Sequence, residues 1–437
     1  MELPPLPLDR TRPLAAQLAD GLRAAAVGGA LRVGDRLPST RALAAVLGVS
    51  RTVTAAAYDQ LLAEGWVQGR VGAGTFVRAV PPALSPARVA EPARPAAEPG
   101  GIDLRPGVPC TEVIDRAAWR RAWRAGAEPE PDLLPVYAGV PAFRTAVAEH
   151  LLRHRGLVPA EPGAVVATGG STGALAEVAR VLPRGRVAVE DPGYRRAVGA
   201  LRAAGLDTVP VPVDEHGLRV SDIPPDVVAV YCTPAHQFPL GARLPAERRI
   251  ALVERARSEG FLVLEDDYDG ELRYDVAPLP LLAALGPDVV VHLGTVSKIL
   301  TPTLGAGWLV APPAVRAALL AARERTGSRP GVAGQRVFAA FAEAGDLARH
   351  LRRLRRELGE RRALVVEALP PVRGDQAGAH VVVPLARTDG IRAAAAARGV
   401  ELDVWPGHGV VLGYAGPTRA ELAAALPVVA DLVRAAT

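Results

Sequence analysis

Lysine is almost absent from this chain of 437 residues. Lysine and arginine together number 51, and Lys298 is the only lysine, so the other 50 of these side chains are guanidiniums. A primary amine condenses with an aldehyde and a guanidinium does not, so one retained lysine indicates amine chemistry rather than charge. A surface lysine left by chance is the alternative interpretation.

Cysteine, excess charge and long apolar runs are also scarce. The two cysteines, Cys110 and Cys232, are too few for a disulfide framework, and they give no indication of a metal site. No run of 18 apolar residues occurs, and the stretch MELPPLPLDRTRPL lacks the apolar core of a signal peptide. We therefore expect a cytoplasmic protein without a membrane partner. The net charge of +5 permits nucleic-acid binding without demonstrating it.

The region 1–78 has the pattern of a winged helix-turn-helix domain. Ser39 and Ser50 are suited to cap two short helices, and Gly48 is suited to end the first. A glycine-rich turn over 69–74 follows between two strand-like segments, as expected of a wing. The predicted inward residues are Leu43, Val46, Leu47, Val53, Ala57, Leu61 and Leu62. The predicted DNA contacts are Ser39, Thr40, Arg41, Ser50, Arg51, Thr52, Thr54 and Arg70. A small helical subdomain that never meets DNA is the alternative.

The rest of the chain predicts a linker and an α/β domain. Residues 79–101 are rich in Ala, Pro, Arg and Glu without periodicity, which is typical of a semi-extended linker. Residues 102–437 alternate strand-like and helix-like segments, which favours a mostly parallel sheet. A long amphipathic helix over 334–368 would lead into a smaller C-terminal subdomain of about 334–437. The predicted strands of the large domain are 164–168, 186–190, 208–212, 227–232, 261–266, 289–293 and 307–311.

Side chains suited to pyridoxal 5'-phosphate (PLP) follow several of these strands. Such a site needs an amine for a Schiff base, a carboxylate on the pyridine nitrogen, a donor to the ring hydroxyl, an aromatic face and a phosphate cradle. Asp266 would keep the ring nitrogen protonated, and Tyr268 would donate to the ring oxygen. Tyr194 would either stack on the ring or pack as a core aromatic. An acidic loop of solvated charges or a cation site is the alternative for the segment around Asp266.

Glycines and hydroxyls provide candidates for the phosphate cradle. The turn over 168–173, which contains Gly170, Ser171 and Thr172, opens a helix after a strand, and backbone N–H groups at a helix N-terminus bind anions. The hydroxyls around Lys298 also fit a phosphate-bearing aldehyde. His236 lies in another loop after a strand and would approach the ring hydroxyl, unless its role is structural.

Two resemblances cover nearly the whole chain. The segment 34–77, with LPSTRALAAVLGVSR and GAGTFV, resembles the winged-helix domain of GntR-family regulators. The strings YAGVPAFRTAVAEHL, VEDPGY, TPAHQFPLG, EDDYDGELRYD, GTVSK and GAH resemble the fold-type I aminotransferase domain, which has a large α/β domain and a smaller C-terminal α+β domain. Together they resemble the MocR (GabR-like) regulators.

This resemblance implies roles for specific residues and partners. It implies PLP as a Schiff base on Lys298, a PLP or amino-compound effector, and a head-to-tail homodimer on double-stranded operator DNA. Ring contacts would come from Asp266 and Tyr268, and stacking from Tyr194. The implied phosphate contacts are Ser171, Thr172, Thr295 and Ser297.

The sequence departs from the family pattern at three places. Gly305 stands where a phosphate-binding arginine usually follows the lysine by seven residues, and Thr172-Gly173 replaces the usual Gln pair. The segment 407–416, where aminotransferases place the arginine for the substrate carboxylate, contains no arginine. These departures argue against ordinary transamination and leave Arg196, or Arg195, to hold an anionic effector. The alternative is an active aminotransferase with a fused helix-turn-helix, whereas a regulator would retain at most a residual half-reaction.

Overall fold

The computed structural model describes residues 6–70, 72–78, 101–130, 132–159, 163–276, 278–369 and 371–436. Internal contacts divide the chain into two units, residues 1–96 and 97–437. Apart from Gly101, the predicted linker lies outside the described residues. Within the described residues, no helix is both long enough and apolar enough to cross a membrane.

The N-terminal unit is a winged helix-turn-helix, as predicted. Its elements are α1 Leu14–Val27, α2 Thr40–Leu47, α3 Arg51–Ala63, β1 Val67–Arg70 and β2 Gly74–Val77, and the two strands pair antiparallel. The Ser39 hydroxyl accepts from the Ala42 N–H at 3.2 Å, and the Ser50 hydroxyl accepts from the Val53 N–H at 3.3 Å. Gly48 ends α2 with φ 63°, a conformation that glycine adopts without strain. The two caps and the glycine therefore set the helix-turn-helix.

The buried faces of α2 and α3 differ in part from the prediction. Val46 is 79% exposed and Leu62 is 40% exposed, whereas Ala44 and Tyr58 are buried. Thr54, predicted to contact DNA, is 0% exposed, and its hydroxyl lies 2.8 Å from the Thr40 carbonyl oxygen and 2.9 Å from that of Arg51. The prediction for Thr54 was wrong because the inward stripe of α3 falls at positions 54, 57, 58 and 61. Thr54 ties α3 to α2.

The second unit is built on a mixed eight-stranded sheet of order β4-β11-β10-β9-β8-β5-β6-β7. The pairs from β10 through β9, β8 and β5 to β6 are parallel, while β11 and β7 run antiparallel to their neighbours. The strands of this unit are β3 Ile102–Asp103, β4 Val165–Thr168, β5 Arg186–Asp191, β6 Asp207–Asp214, β7 Gly217–Leu218, β8 Val227–Cys232, β9 Leu262–Asp267, β10 Val290–Thr295, β11 Gly307–Val310, β12 His380–Val383, β13 Val400–Glu401, β14 Asp403–Trp405 and β15 Gly409–Gly413. All seven strands predicted for the large domain are present.

Helices surround this sheet and lead to a second, smaller sheet. They are α4 Arg116–Ala127, α5 Pro141–Arg155, α6 Ser171–Val181, α7 Arg195–Ala203, α8 Ala246–Glu259, α9 Leu282–Leu285, α10 Pro313–Thr326, α11 Val332–Glu343, α12 Asp346–Ala368, α13 Ile391–Ala396 and α14 Arg419–Ala436. The single helix predicted over 334–368 was wrong: it is broken into α11 and α12, with Gly345 at φ 69° between them. The C-terminal part carries the three-stranded sheet β12-β15-β14, and β13 pairs with β3 at the start of the unit.

Replacing the Ser50 cap tests the local stability of the recognition helix. We expect Ser50→Ala to destabilise α3 by about 1 kcal/mol, because the Val53 N–H loses its side-chain acceptor and keeps only the Ser50 carbonyl oxygen at 3.1 Å. Hydrogen exchange of the full chain, read by mass spectrometry on peptides from 51–63, should become faster. Thr52→Ala, on an exposed neighbour, is the control. Equal exchange in Ser50→Ala and the parent protein would show that the cap contributes nothing.

Candidate functional site

The predicted cofactor residues gather at one edge of the eight-stranded sheet. The parallel strands β5, β8, β9 and β10 end at this edge, which is where open α/β sheets bind their ligands. The residues that lie at these strand ends, or in the turns that follow β4 and these strands, are Gly170, Ser171, Thr172, Tyr194, His236, Asp266, Tyr268, Thr295, Ser297 and Lys298. The topology therefore collects residues spread over 129 positions of sequence, from 170 to 298, at one edge.

Lys298 follows β10 and is half-buried at this edge. Its Nζ donates to the Gly107 carbonyl oxygen at 2.7 Å. Gly107 has φ 97°, and a Cβ there would lie 3.4 Å from the amine, so the chain approaches Lys298 closely. The amine lies near enough to Asp266 for its charge to lower the pKa of that carboxyl, as one of several opposing influences.

Asp266 is a buried carboxylate, and only one of its two oxygens accepts a well-formed hydrogen bond. Tyr231 donates its hydroxyl hydrogen to Oδ2 at 2.7 Å, while Oδ1 accepts no well-formed hydrogen bond from any described residue. Burial raises the pKa of Asp266 to about 6, and the hydroxyls of Tyr231 and Ser171 offset only part of that rise. A buried acceptor without a donor is costly. A protonated pyridine nitrogen would supply the donor and the positive charge, so this residue fits PLP.

Tyr268 and His236 form one hydrogen-bonded group. The Tyr268 hydroxyl donates to the His236 carbonyl oxygen at 2.9 Å and lies 3.2 Å from Nδ1 of the same residue. Burial, followed by the charges of Asp269 and Asp266, raises the pKa of Tyr268 well above its usual value. The phenol therefore stays protonated and remains a hydrogen-bond donor, as its predicted role toward the ring oxygen requires.

Glycines bring β10, β11 and the turn after β4 close together beside the candidate phosphate cradle. A Cβ on Gly307 of β11 would lie 2.5 Å from the Gly170 Cα and 2.6 Å from the Gly294 carbonyl oxygen. Gly170 has φ 110° and immediately precedes α6. The cradle thus combines the N-terminus of a helix with a backbone that only glycine permits.

Of the four candidate phosphate hydroxyls, those of Thr295 and Ser297 contact each other, while the Ser171 hydroxyl acts on Asp266. Thr295 donates its hydroxyl hydrogen to Ser297 Oγ at 2.9 Å and accepts from the Ser297 N–H at 3.1 Å. The Thr172 hydroxyl lies 3.4 Å from that of Tyr194. Gly305, in place of the usual arginine, has φ 57°, and a Cβ there would meet nothing within 4 Å.

The two arginines predicted for an effector differ in their surroundings. Both are exposed at the start of α7. The Arg195 guanidinium carbon lies 4.5 Å from the ring centroid of Trp405, a cation–π contact with the C-terminal sheet. Trp405 in turn meets Phe238 edge to face at 6.0 Å. The role predicted for Arg196 stays a prediction.

Glu190, Asp269 and His380 were not among the cofactor contacts predicted from the sequence. Glu190 is buried, accepts hydrogen bonds from Thr233 and Gln237, and has its pKa raised by burial to about 7. His236, Asp269 and His380 can bring one ligand atom each within 4.8 Å of one another, a metal-capable cluster that the scarcity of cysteine does not exclude. Glu190 and Asp269 stand in the strings VEDPGY and EDDYDGELRYD, which were the available signals.

In the N-terminal unit, most predicted DNA contacts are accessible. Arg41, Arg51 and Thr52 are exposed, as are the capping residues Ser39 and Ser50, while Thr40 is half-buried. Arg70 is exposed and places its guanidinium carbon 4.7 Å from the Phe76 ring centroid. The arginine of the wing is therefore supported by an aromatic neighbour while its charge remains accessible.

Two family models match the chain in succession. Residues 14–77 match the bacterial regulatory proteins of the gntR family, and residues 100–398 match aminotransferase class I and II. The fold and the site thus define a winged helix joined to an aminotransferase-like domain of the PLP-dependent type.

Relatives with the same organisation extend along nearly the full length. The HTH-type pyridoxine biosynthesis transcriptional regulator PdxR of Corynebacterium glutamicum is 35% identical over 95% of each chain. The probable rhizopine catabolism regulatory protein MocR of Rhizobium meliloti is 32% identical over 94% of this chain and 92% of its own. The chain therefore belongs to the MocR (GabR-like) family of helix-turn-helix transcription regulators.

Solved structures match the second unit. An archaeal alanine:glyoxylate aminotransferase has a TM-score of 0.71 at 26% identity and covers 77% of this chain and 91% of its own. The kynurenine aminotransferase of Pyrococcus horikoshii, solved with PMP, has a TM-score of 0.70 at 25% identity over the same shares. The aminotransferase-like fold predicted from the sequence is confirmed.

The raised pKa of Asp266 generates a prediction for the cofactor-free protein. Ionising this buried carboxyl lowers the free energy of unfolding. The loss grows as the pH rises from 3.8, the usual pKa of an aspartate, to about 6, the pKa of Asp266 in the folded protein. A shift of this size corresponds to roughly 3 kcal/mol. We expect Asp266→Asn to raise the unfolding temperature of the cofactor-free protein at pH 8, and the gain to vanish near pH 4. Asp207→Asn, on an exposed strand residue, is the control. An equal gain at both pH values would contradict a burial penalty on the charge.

Proposed function

We propose that this regulator binds operator DNA through its N-terminal unit and that PLP, joined to Lys298, controls that binding. The observation that carries the cofactor assignment is a single amine, close enough to lower the pKa of Asp266, beside that buried carboxylate, whose Oδ1 accepts no well-formed hydrogen bond from the described residues. PLP would supply an aldehyde for the amine and a ring nitrogen for Asp266. A protein that works on DNA would act in the cytoplasm.

The remaining contacts would hold PLP by its ring and phosphate. Tyr268 would donate to the ring oxygen, and Tyr194 would cover one face of the ring. The N-terminus of α6 and the paired hydroxyls of Thr295 and Ser297 would receive the phosphate. Gly305 contributes no charge there, so the hydroxyl cradle and the covalent bond would carry a larger share of the binding.

The C-terminal region lacks an arginine for a substrate carboxylate, and this favours sensing over turnover. The segment 407–416 has no arginine, and Val410, Val411 and Tyr414 within it are buried. A substrate carboxylate would depend instead on Arg195 or Arg196 at the start of α7. Multiple turnovers of an amino donor and a keto acid by the purified protein would instead support an aminotransferase with a fused DNA-binding domain.

The effector would be PLP itself or an amino compound that reacts with it. The name of the relative PdxR refers to pyridoxine biosynthesis, which supports a response to vitamin B6 here. An amino compound with an anionic group is the second candidate, because Arg195 and Arg196 lie beside Tyr194.

A head-to-tail homodimer would provide two winged helices for one operator. Leu133 and Leu134, just before α5, are 96% and 78% exposed, which is unusual for two adjacent leucines. A second copy of the chain covering this segment would remove them from water.

Lys298→Ala tests the cofactor linkage. We expect the protein reconstituted with PLP to lose the visible absorbance band of the Schiff base, because no other lysine is available to replace it. Lys298→Arg keeps the charge and should lose the band equally, since a guanidinium does not condense. A band that persists in both variants would place the linkage elsewhere.

Arg51→Ala tests the DNA surface. We expect weaker binding of operator DNA and a salt dependence whose slope falls by about 1, because one phosphate contact is lost. The control is Arg23→Gln on α1, where the arginine is paired with Asp20 and Glu64. The affinity for operator DNA is measured for both variants over a series of salt concentrations. The visible band of each variant checks that its second unit is intact. Unchanged affinity in Arg51→Ala would remove this residue from the interface.

A further inference from the structure

We propose that Asp269 and His236 are positioning residues that aim the Tyr268 hydroxyl at the ring oxygen of the cofactor. This inference rests on the proposed PLP site, and it assigns a role to an acid outside the expected cofactor contacts. Asp269 would act through the imidazole of His236, whose Nδ1 lies within hydrogen-bonding distance of both the carboxylate and the phenol.

The geometry of the three side chains is compact. His236 Nδ1 lies 2.9 Å from Asp269 Oδ2 and 3.2 Å from the Tyr268 hydroxyl. The side chains of His236 and Asp269 are almost fully buried, so solvent does not compete for these contacts. A carboxylate oxygen accepts, so the proton between His236 and Asp269 belongs to Nδ1. The imidazole therefore presents an N–H, and not a lone pair, on the side that faces the phenol.

Two glycines hold the imidazole in place. A Cβ on Gly378 would lie 2.1 Å from His236 Cε1 and 2.8 Å from Asp269 Oδ2. A Cβ on Gly241 would lie 3.2 Å from His236 Nε2. Both glycines have positive φ, of 72° and 71°. The ring is thus enclosed by backbone on both edges, and little space remains for it to turn.

His380 completes the enclosure without competing for the proton. Its ring centroid lies 4.8 Å from that of His236, and its Nε2 lies 3.0 Å from the Pro239 carbonyl oxygen. Burial, followed by the proximity of His236, lowers the pKa of His380 well below its usual value, so this ring is neutral. The Pro239 carbonyl fixes the His380 proton on Nε2, because a carbonyl oxygen only accepts.

The proton on His236 Nδ1 determines which acceptor the Tyr268 hydroxyl can use. With the proton on Nδ1, His236 cannot accept from Tyr268, so the phenol must donate elsewhere. In this structure it donates to the His236 carbonyl oxygen. With PLP bound it would donate to the ring oxygen. Removing the Asp269 carboxylate would free Nδ1 to become an acceptor, and the phenol would then turn away from the cofactor.

The pH titration of the visible band of the PLP-loaded full chain tests this inference. A donor on the ring oxygen weakens its hold on the Schiff-base proton. Tyr268→Phe should therefore raise the titration midpoint by roughly 1 pH unit. We expect Asp269→Asn and His236→Asn to shift the midpoint in the same direction. Combining either with Tyr268→Phe should give no further shift, because all three act through one hydroxyl. Asp207→Asn should leave the midpoint unchanged.

Three results would overturn the inference. The first is an unshifted midpoint in Asp269→Asn and His236→Asn although Tyr268→Phe shifts it. The second is an additive shift in the double variants. The third is one equivalent of a transition metal in elemental analysis of the purified protein, lost in His380→Gln, because the cluster would then be a metal site. A parent protein that shows no visible band with PLP would defeat the proposed function itself, which is a separate outcome.

Discussion

A carboxylate held out of water beside the only lysine amine is the constraint on which the second unit depends. Asp266 lies at the end of a buried strand, and its pKa of about 6 shows that the fold stabilises the charged form incompletely. Such a group is expected where a ligand supplies the missing partner. The parallel strands on either side and the turns after them are arranged so that the amine, the phenol and the glycine cradle surround this one group.

The strand that carries Asp266 is held by its two acidic neighbours. Successive side chains of a strand point to opposite faces, so Glu265 and Asp267 point away from Asp266. Glu265 accepts from the N–H groups of Leu282 and Ala283, and Asp267 binds the buried Arg155 through both oxygens at 2.6 and 2.9 Å. Breaking a buried pair of this kind leaves an uncompensated charge. The three consecutive acids therefore divide their roles: two fasten the strand, and one faces the cofactor site.

Much of this arrangement could be predicted from local sequence patterns. Most strands of the large domain contain short apolar stretches rich in valine, and the single lysine after β10 is visible by composition alone. The parts that could not be predicted depend on packing between distant segments. The inward stripe of α3 is offset so that Thr54 is buried, Gly345 breaks a helix whose pattern reads as continuous, and His380 reaches His236 from a strand 144 positions away. A residue such as Asp269 reads as one more acid in an acidic loop until His236 is placed beside it.

Mass spectrometry after borohydride reduction of the protein incubated with PLP tests the central claim most directly. Reduction makes a Schiff base permanent, so the mass of the cofactor should appear on the one peptide that contains Lys298. An adduct at that position is the predicted result. An unmodified Lys298 peptide, with PLP lost on denaturation, would contradict the claim and leave a DNA-binding domain attached to an aminotransferase-like scaffold that does not hold the cofactor covalently.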